Sequence, residues 1–205
     1  ELPMMVVSNI TSDYALHART FAFVPPGEGT DLLAGAVPYH PASAALGLSR
    51  SGWSWDVKAG DFDNDGADEL VQATGFLKGD TDRWPQLQEL PMANDQLLRR
   101  PWAWPAFQPG DDLSGHEHNP FWVRDDQGRY NDIAPQLGLD TPEVSRAFAL
   151  GDVKGDGLLD VLVANQWENS QVLINDTTGA PPGINLRLLV PARAAEGEWR
   201  PALGA

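Results

Sequence analysis

The chain contains the same pattern twice. Residues 61–69 read DFDNDGADE, and 91 positions later residues 152–160 read DVKGDGLLD. The match continues upstream without a gap. Tyr39 falls on Tyr130, Leu46-Gly47-Leu48 on Leu137-Gly138-Leu139, Ser54 on Ser145 and Gly60 on Gly151. Inside the acidic runs Asp61 falls on Asp152, Asp65 on Asp156 and Gly66 on Gly157, and downstream Ala73 falls on Ala164. Each copy reads as a Tyr, a short segment ending in Leu-Gly-Leu, a strand, an acidic loop and a second strand. A unit this short cannot bury its own apolar face and must stack on further copies of itself. Strand–loop–strand units without helical periodicity predict an all-β chain that forms part of a β-propeller.

A third copy is visible at the start. Residues 4–9, MMVVSN, align with DVLVAN at 160–165 at an offset of 156 (160 − 4). On that register Glu1 falls within an acidic loop. The expectation is a piece of a longer protein whose partner is the remaining N-terminal part of the same propeller. At the other end INLRLLV (184–190) alternates and predicts a strand. The predicted organisation is propeller blades with an acidic loop over 1–74, an insert over 75–129, and a blade plus a further strand region over 130–205.

The acidic runs have a cation chemistry. Asp61, Asp63 and Asp65 stand at positions 1, 3 and 5, with Gly66 at 6, Ala67 at 7 and Glu69 at 9. Carboxylates two residues apart repel one another unless a hard cation sits among them. Ca²⁺ accepts six to eight oxygens in a flexible shell, and the Ala67 carbonyl would supply a neutral one. The glycine permits the turn around the ion. An EF-hand begins in this way but requires Glu at position 12 and flanking helices. Position 12 is Gln72, and ELVQATG reads as a strand. The bland alternative is that Asp, Asn and Gly are ordinary turn residues, and the repetition argues against it. In the second run Asp152 and Asp156 repeat Asp61 and Asp65, but position 3 is Lys154. Its ammonium neutralises neighbouring carboxylates without metal.

Charge narrows the partners. The 205 residues include 14 Lys and Arg against 29 Asp and Glu, a formal charge of −15. Such a surface excludes nucleic acid, whose phosphates need a basic face, and argues against an anionic membrane surface. No apolar run is long enough to span a bilayer. With no cysteines, thiolate chemistry and disulfides are excluded. The 20 glycines and 17 prolines suit a fold with many turns.

The segment from 75 to 129 stands outside the repeat and is rich in rings, with Trp84, Trp102, Trp104, Phe107, Phe121 and Trp122. QLQELPMANDQLLRR (86–100) predicts short helical turns broken at Pro91. The rings form either a satellite core or a groove for a flat apolar ligand, with Trp53, Trp55, Trp102, Trp104 and Trp122 as its candidate lining. GDDLSGHEHN (110–119) holds His116, Glu117 and His118, candidate acid–base groups or, with Asp111 and Asp112, candidate ligands of a transition metal. The alternative for these three is hydrogen bonding that braces loops. His17 and His40 are isolated. No nucleophile elbow, phosphate loop or dinucleotide fingerprint is present.

The paired units resemble the FG-GAP, or VCBS, repeats of integrin-α-like β-propellers. The second copy resembles the ASPIC/UnbV group, shared by cartilage acidic proteins, through LGLD (137–140), SRAFALGDVKGDGLLDVLVAN (145–165), LIND (173–176), INLRLLV and the terminal ALGA. SGWSWD (51–56), ATGFLKG (73–79), RWPQLQEL (83–90), PGDDLSGH (109–116) and NPFWVR (119–124) are similar to the UnbV proteins of actinomycete enediyne biosynthetic clusters. The resemblance implies structural Ca²⁺ on Asp61, Asp63, Asp65, the Ala67 carbonyl and Glu69. At the second loop it matches Asp152, Asp156 and Asp160 but not Lys154. It implies a role in enediyne biosynthesis: binding an apolar polyketide-derived intermediate or a partner protein, or an enzyme that transforms that intermediate. An extracytoplasmic adhesion-type module is the third reading.

Overall fold

The computed structural model describes residues 2–10, 20–26, 35, 39–93, 96–184, 186, 188–191 and 198–202. His17 and residues 203–205 of the terminal motif lie outside them.

The repeat is reproduced strand for strand. The central sheet is an antiparallel meander of β4 (Ser54–Gly60), β5 (Glu69–Thr74), β8 (Phe121–Arg124) and β9 (Tyr130–Asp132) in that order. The C-terminal sheet runs β10 (Ser145–Gly151), β11 (Asp160–Asn165) and β12 (Gln171–Leu173). The bounds of β10 and β11 are those of β4 and β5 shifted by 91, and both pairs carry a register irregularity at the same place, Ser54/Asp56 and Ser145/Ala147. The N-terminal sheet orders β1 (Met5–Val7), β2 (Phe21–Val24) and β3 (His40–Pro41). Short helices α1 (Ser43–Leu46) and α3 (Ala134–Leu137), again 91 apart, lead from one sheet to the next. Gly47 and Gly138 end them at φ 81° and 68°, the left-handed cap that favours glycine.

The sheets stack face to face. β10 packs against both β4 and β5. One apolar layer joins the central and C-terminal sheets, with Phe62, Val71, Phe121, Phe148, Val161 and Val163 among its buried members. A second joins the N-terminal and central sheets through Ala22, Leu48, Leu70, Trp122 and Tyr130. The Phe62 and Phe121 rings meet edge to face at 5.1 Å. Burying each such ring is worth about 1.5–3 kcal/mol.

Three expectations change. The insert is shorter than 75–129, because Phe121–Arg124 is a strand of the sheet and pairs with Leu70 and Val71. Between β5 and β8 lie the parallel pair β6 (Thr81–Asp82) and β7 (Asp111–Asp112), helix α2 (Trp84–Ala93) and two 3-10 turns. Pro91 does not break α2, which continues to Ala93. Finally, among the described residues of 184–190 only the end is a strand: β13 (Leu189–Pro191) pairs antiparallel with β14 (Trp199–Pro201) in a separate two-stranded sheet, and Ile184, Leu186 and Leu188 are exposed.

Candidate metal centre and polar cluster

The first acidic loop joins β4 to β5 at one end of the central sheet. Alternating acids leave a free carboxylate beside each turn N–H, and the loop folds on those bonds. Asp61 Oδ1 accepts from Asp65 N at 3.0 Å and Asp61 Oδ2 from Gly66 N at 3.0 Å. Asp63 Oδ1 accepts from Asp65 N and Asp65 Oδ1 from Ala67 N. Asn64 and Gly66 take left-handed φ of 59° and 91°. The bonds turn the three carboxylates inward, so that one oxygen from each of Asp61, Asp63 and Asp65 lies within 4.8 Å of the others. Three carboxylate oxygens this close could hold a metal cation.

Glu69 does not join that triad. It is 4% exposed, and its Oε2 accepts from Phe62 N at 2.9 Å. Burial pushes its carboxyl up to about 7, with the three aspartates adding repulsion.

The second loop repeats the bonds of the first. Asp152 accepts from Asp156 N and Gly157 N, and Asp156 from Leu158 N. Asp160, the counterpart of Glu69, is fully buried and accepts from Val153 N and Asn175 N. Lys154 supplies the positive charge. Its Nζ lies 2.9 Å from Asp156 Oδ2 and 2.9 Å from Asp176 Oδ1, and donates to the Asn175 carbonyl at 2.7 Å. Those bonds raise the Lys154 ammonium above its ordinary value and lower Asp156. Among the described residues only the first loop gathers three carboxylates without a basic side chain.

At the opposite end of the strands lie the candidate acid–base residues, each held by its own partner. His116 Nδ1 is 2.7 Å from Asp112, and His118 Nε2 is 2.7 Å from Asp132 on β9. Glu117 accepts from Trp53 N at 2.7 Å, and burial raises its carboxyl. Beside it runs a buried polar chain that sequence reasoning missed. Thr74 Oγ1 donates to the His118 carbonyl, Asn119 Nδ2 to Ser145 Oγ, and Ser145 Oγ to Asn165 Oδ1, each at 2.8 Å. The repeated Ser54 and Ser145 were the only signal for it.

Of the five candidate tryptophans only Trp53 and Trp55 meet ring to ring, at 6.4 Å. Trp122 is 2% exposed within the core. Trp53 stacks on Phe76 at 4.2 Å and meets Trp84 at 4.9 Å. Trp55 carries the Arg146 guanidinium over its face at 4.4 Å and donates to the Gly75 carbonyl. Trp102 and Trp104 stand exposed on the 3-10 turns, where Trp104 Nε1 donates to the Leu98 carbonyl. The insert therefore seals the end of the central sheet with the Trp53–Phe76–Trp84 cluster.

No family model matches the chain, and no curated protein matches it in sequence.

Proposed function

We propose that the chain is part of a calcium-stabilised β-propeller that acts by binding. Its client is an apolar polyketide-derived intermediate or a partner protein of enediyne biosynthesis. The observation that carries the scaffold is the repeated strand–loop–strand unit with the same backbone caps in both acidic loops. The pathway is carried by the sequence resemblance. Calcium here is structural: it cancels repulsion among Asp61, Asp63 and Asp65 and pins a turn that touches the next repeat. The second loop uses Lys154 in place of the ion.

Calorimetric titration of the chelated chain tests this. One calcium per chain is expected, with a rise in Tm that Asp63→Ala removes. Equal loss of Tm by that variant in chelator and in calcium would overturn the metal reading.

The enzymatic alternative draws on one observation, the half-buried Glu117 carboxyl flanked in sequence by two His–Asp pairs. Replacing His116 and His118 together with Ala separates the two. Binding predicts unchanged product formation, and catalysis predicts its loss with the fold retained.

A further inference from the structure

Among the described residues the internal repeat identifies an empty seat. In the central sheet the fourth strand, β9, places Tyr130 against Leu48, Leu70 and Trp122, and its hydroxyl donates to the Asp68 carbonyl at 3.4 Å. In the N-terminal sheet Tyr39, beside the outer strand β3, donates in the same way to the Pro3 carbonyl at 2.9 Å. Asp68 and Pro3 are equivalent: both fall on Leu159 by the offsets of 91 and 156. The C-terminal sheet has three strands, and among the described residues none lies beyond β12.

A cavity of about 500 Å³ opens where the third tyrosine would stand. Its lining is the lining of the Tyr130 seat moved on by one repeat. Leu48 becomes Leu139 and Leu70 becomes Val161. Trp122, paired with Leu70, becomes Leu173, paired with Val161. Leu159, whose carbonyl corresponds to the tyrosine acceptor, lines it too. The register carries over: Arg124, which faces Tyr130, becomes Asn175, which also lines the cavity.

We propose that the free edge of β12 and this groove receive an extended peptide strand that inserts a tyrosine. The strand adds by main-chain pairing beside Leu173 and Ile174, antiparallel as β9 is to β8. Its tyrosine enters opposite Asn175 and donates its hydroxyl to the second lone pair of the Leu159 carbonyl, which already accepts from Asn175 Nδ2 at 3.2 Å. The occupant is thus a polypeptide strand with the chemistry of β9, Tyr-x-Asp. This rests on the repeat alone and stands whether or not calcium binds.

The probe is a labelled synthetic peptide of residues 127–140, QGRYNDIAPQLGLD, titrated into the whole chain and read by fluorescence anisotropy. Saturable binding is expected. It should weaken by roughly tenfold or more when the peptide tyrosine becomes Ala. It should weaken similarly in the chain variant Ile174→Lys, a change at a half-exposed side chain whose folding is checked by circular dichroism. Hydrogen exchange should slow at 171–175 and not at 121–124, which distinguishes this edge from displacement of the chain's own β9. Three results overturn the proposal. The first is no binding up to about 1 mM peptide. The second is equal binding of the Tyr→Ala peptide. The third is self-association of the chain that Ile174→Lys abolishes, which would make a second copy the occupant.

Discussion

Asn64, in the first acidic loop, donates from Nδ2 to the carbonyl of Gly157 in the second, 93 residues along the chain, at 3.2 Å. The same amide nitrogen reaches the Pro181 carbonyl at 2.9 Å. The close approach continues at Gly183, where a Cβ would collide with the Gly157 carbonyl oxygen. The turn that gathers the three aspartates is thereby tied to the neighbouring repeat and to the segment that follows it.

Asn64→Gly should keep the left-handed turn at φ 59° and lose both bonds, a destabilisation of about 1–2 kcal/mol. Asn64→Ala should cost roughly 1 kcal/mol more, because a Cβ disfavours that backbone region. Urea denaturation of the two variants checks the order. Equal midpoints for Ala and Gly would show that the backbone conformation carries no cost.

Lys154→Asp should restore a third acidic ligand to the second loop and remove its internal cation. The number of calcium ions bound per chain is expected to rise from one to two in calorimetric titration. In chelator the variant should be less stable than the parent, since Asp156 and Asp176 lose their partner. An unchanged stoichiometry would mean that the loop geometry, rather than Lys154, sets the occupancy.

Glu69 gives the calcium-free chain a pH dependence of defined sign. Its carboxyl titrates near 7 in the folded chain against an ordinary 4.5. The folded state therefore binds more protons than the unfolded state between these values, and stability falls as pH rises through that window. Below about 4.5 and above about 7 this contribution is flat. Melting curves in chelator should show the slope in the parent and lose it in Glu69→Gln. Identical slopes in the two proteins would assign the dependence to other groups.

The cap at the opposite end makes a contrasting prediction. Asp132 receives Phe121 N, Ala134 N and His118. Asp132→Ala frees two backbone donors and should cost about 2–3 kcal/mol, whereas His118→Ala removes one partly exposed bond and should cost under about 1 kcal/mol. Thermal unfolding of the pair measures the difference.

The sequence by itself determined the repeating unit. Helices α1 and α3 before the Leu-Gly-Leu turns came from the structure, whereas the 91-residue offset placed β4, β5, β10 and β11, because each unit carries its own strand pattern and acidic turn. Those are local properties, set by residues within a few positions of one another. The acidic triad was legible for the same reason. Tertiary structure alone decided which groups the units share. Phe121–Arg124 looked like part of the insert because its partner strand lies some fifty residues upstream, and only pairing with Leu70 and Val71 reveals it as a strand. Glu69 gives one carboxylate oxygen to Phe62 N, a partner no spacing rule announces, and Trp122 looked like a ligand-lining ring until it closed over Leu70 and Tyr130. Burial and hydrogen-bond partners come from distant parts of the chain, so no local pattern fixes them.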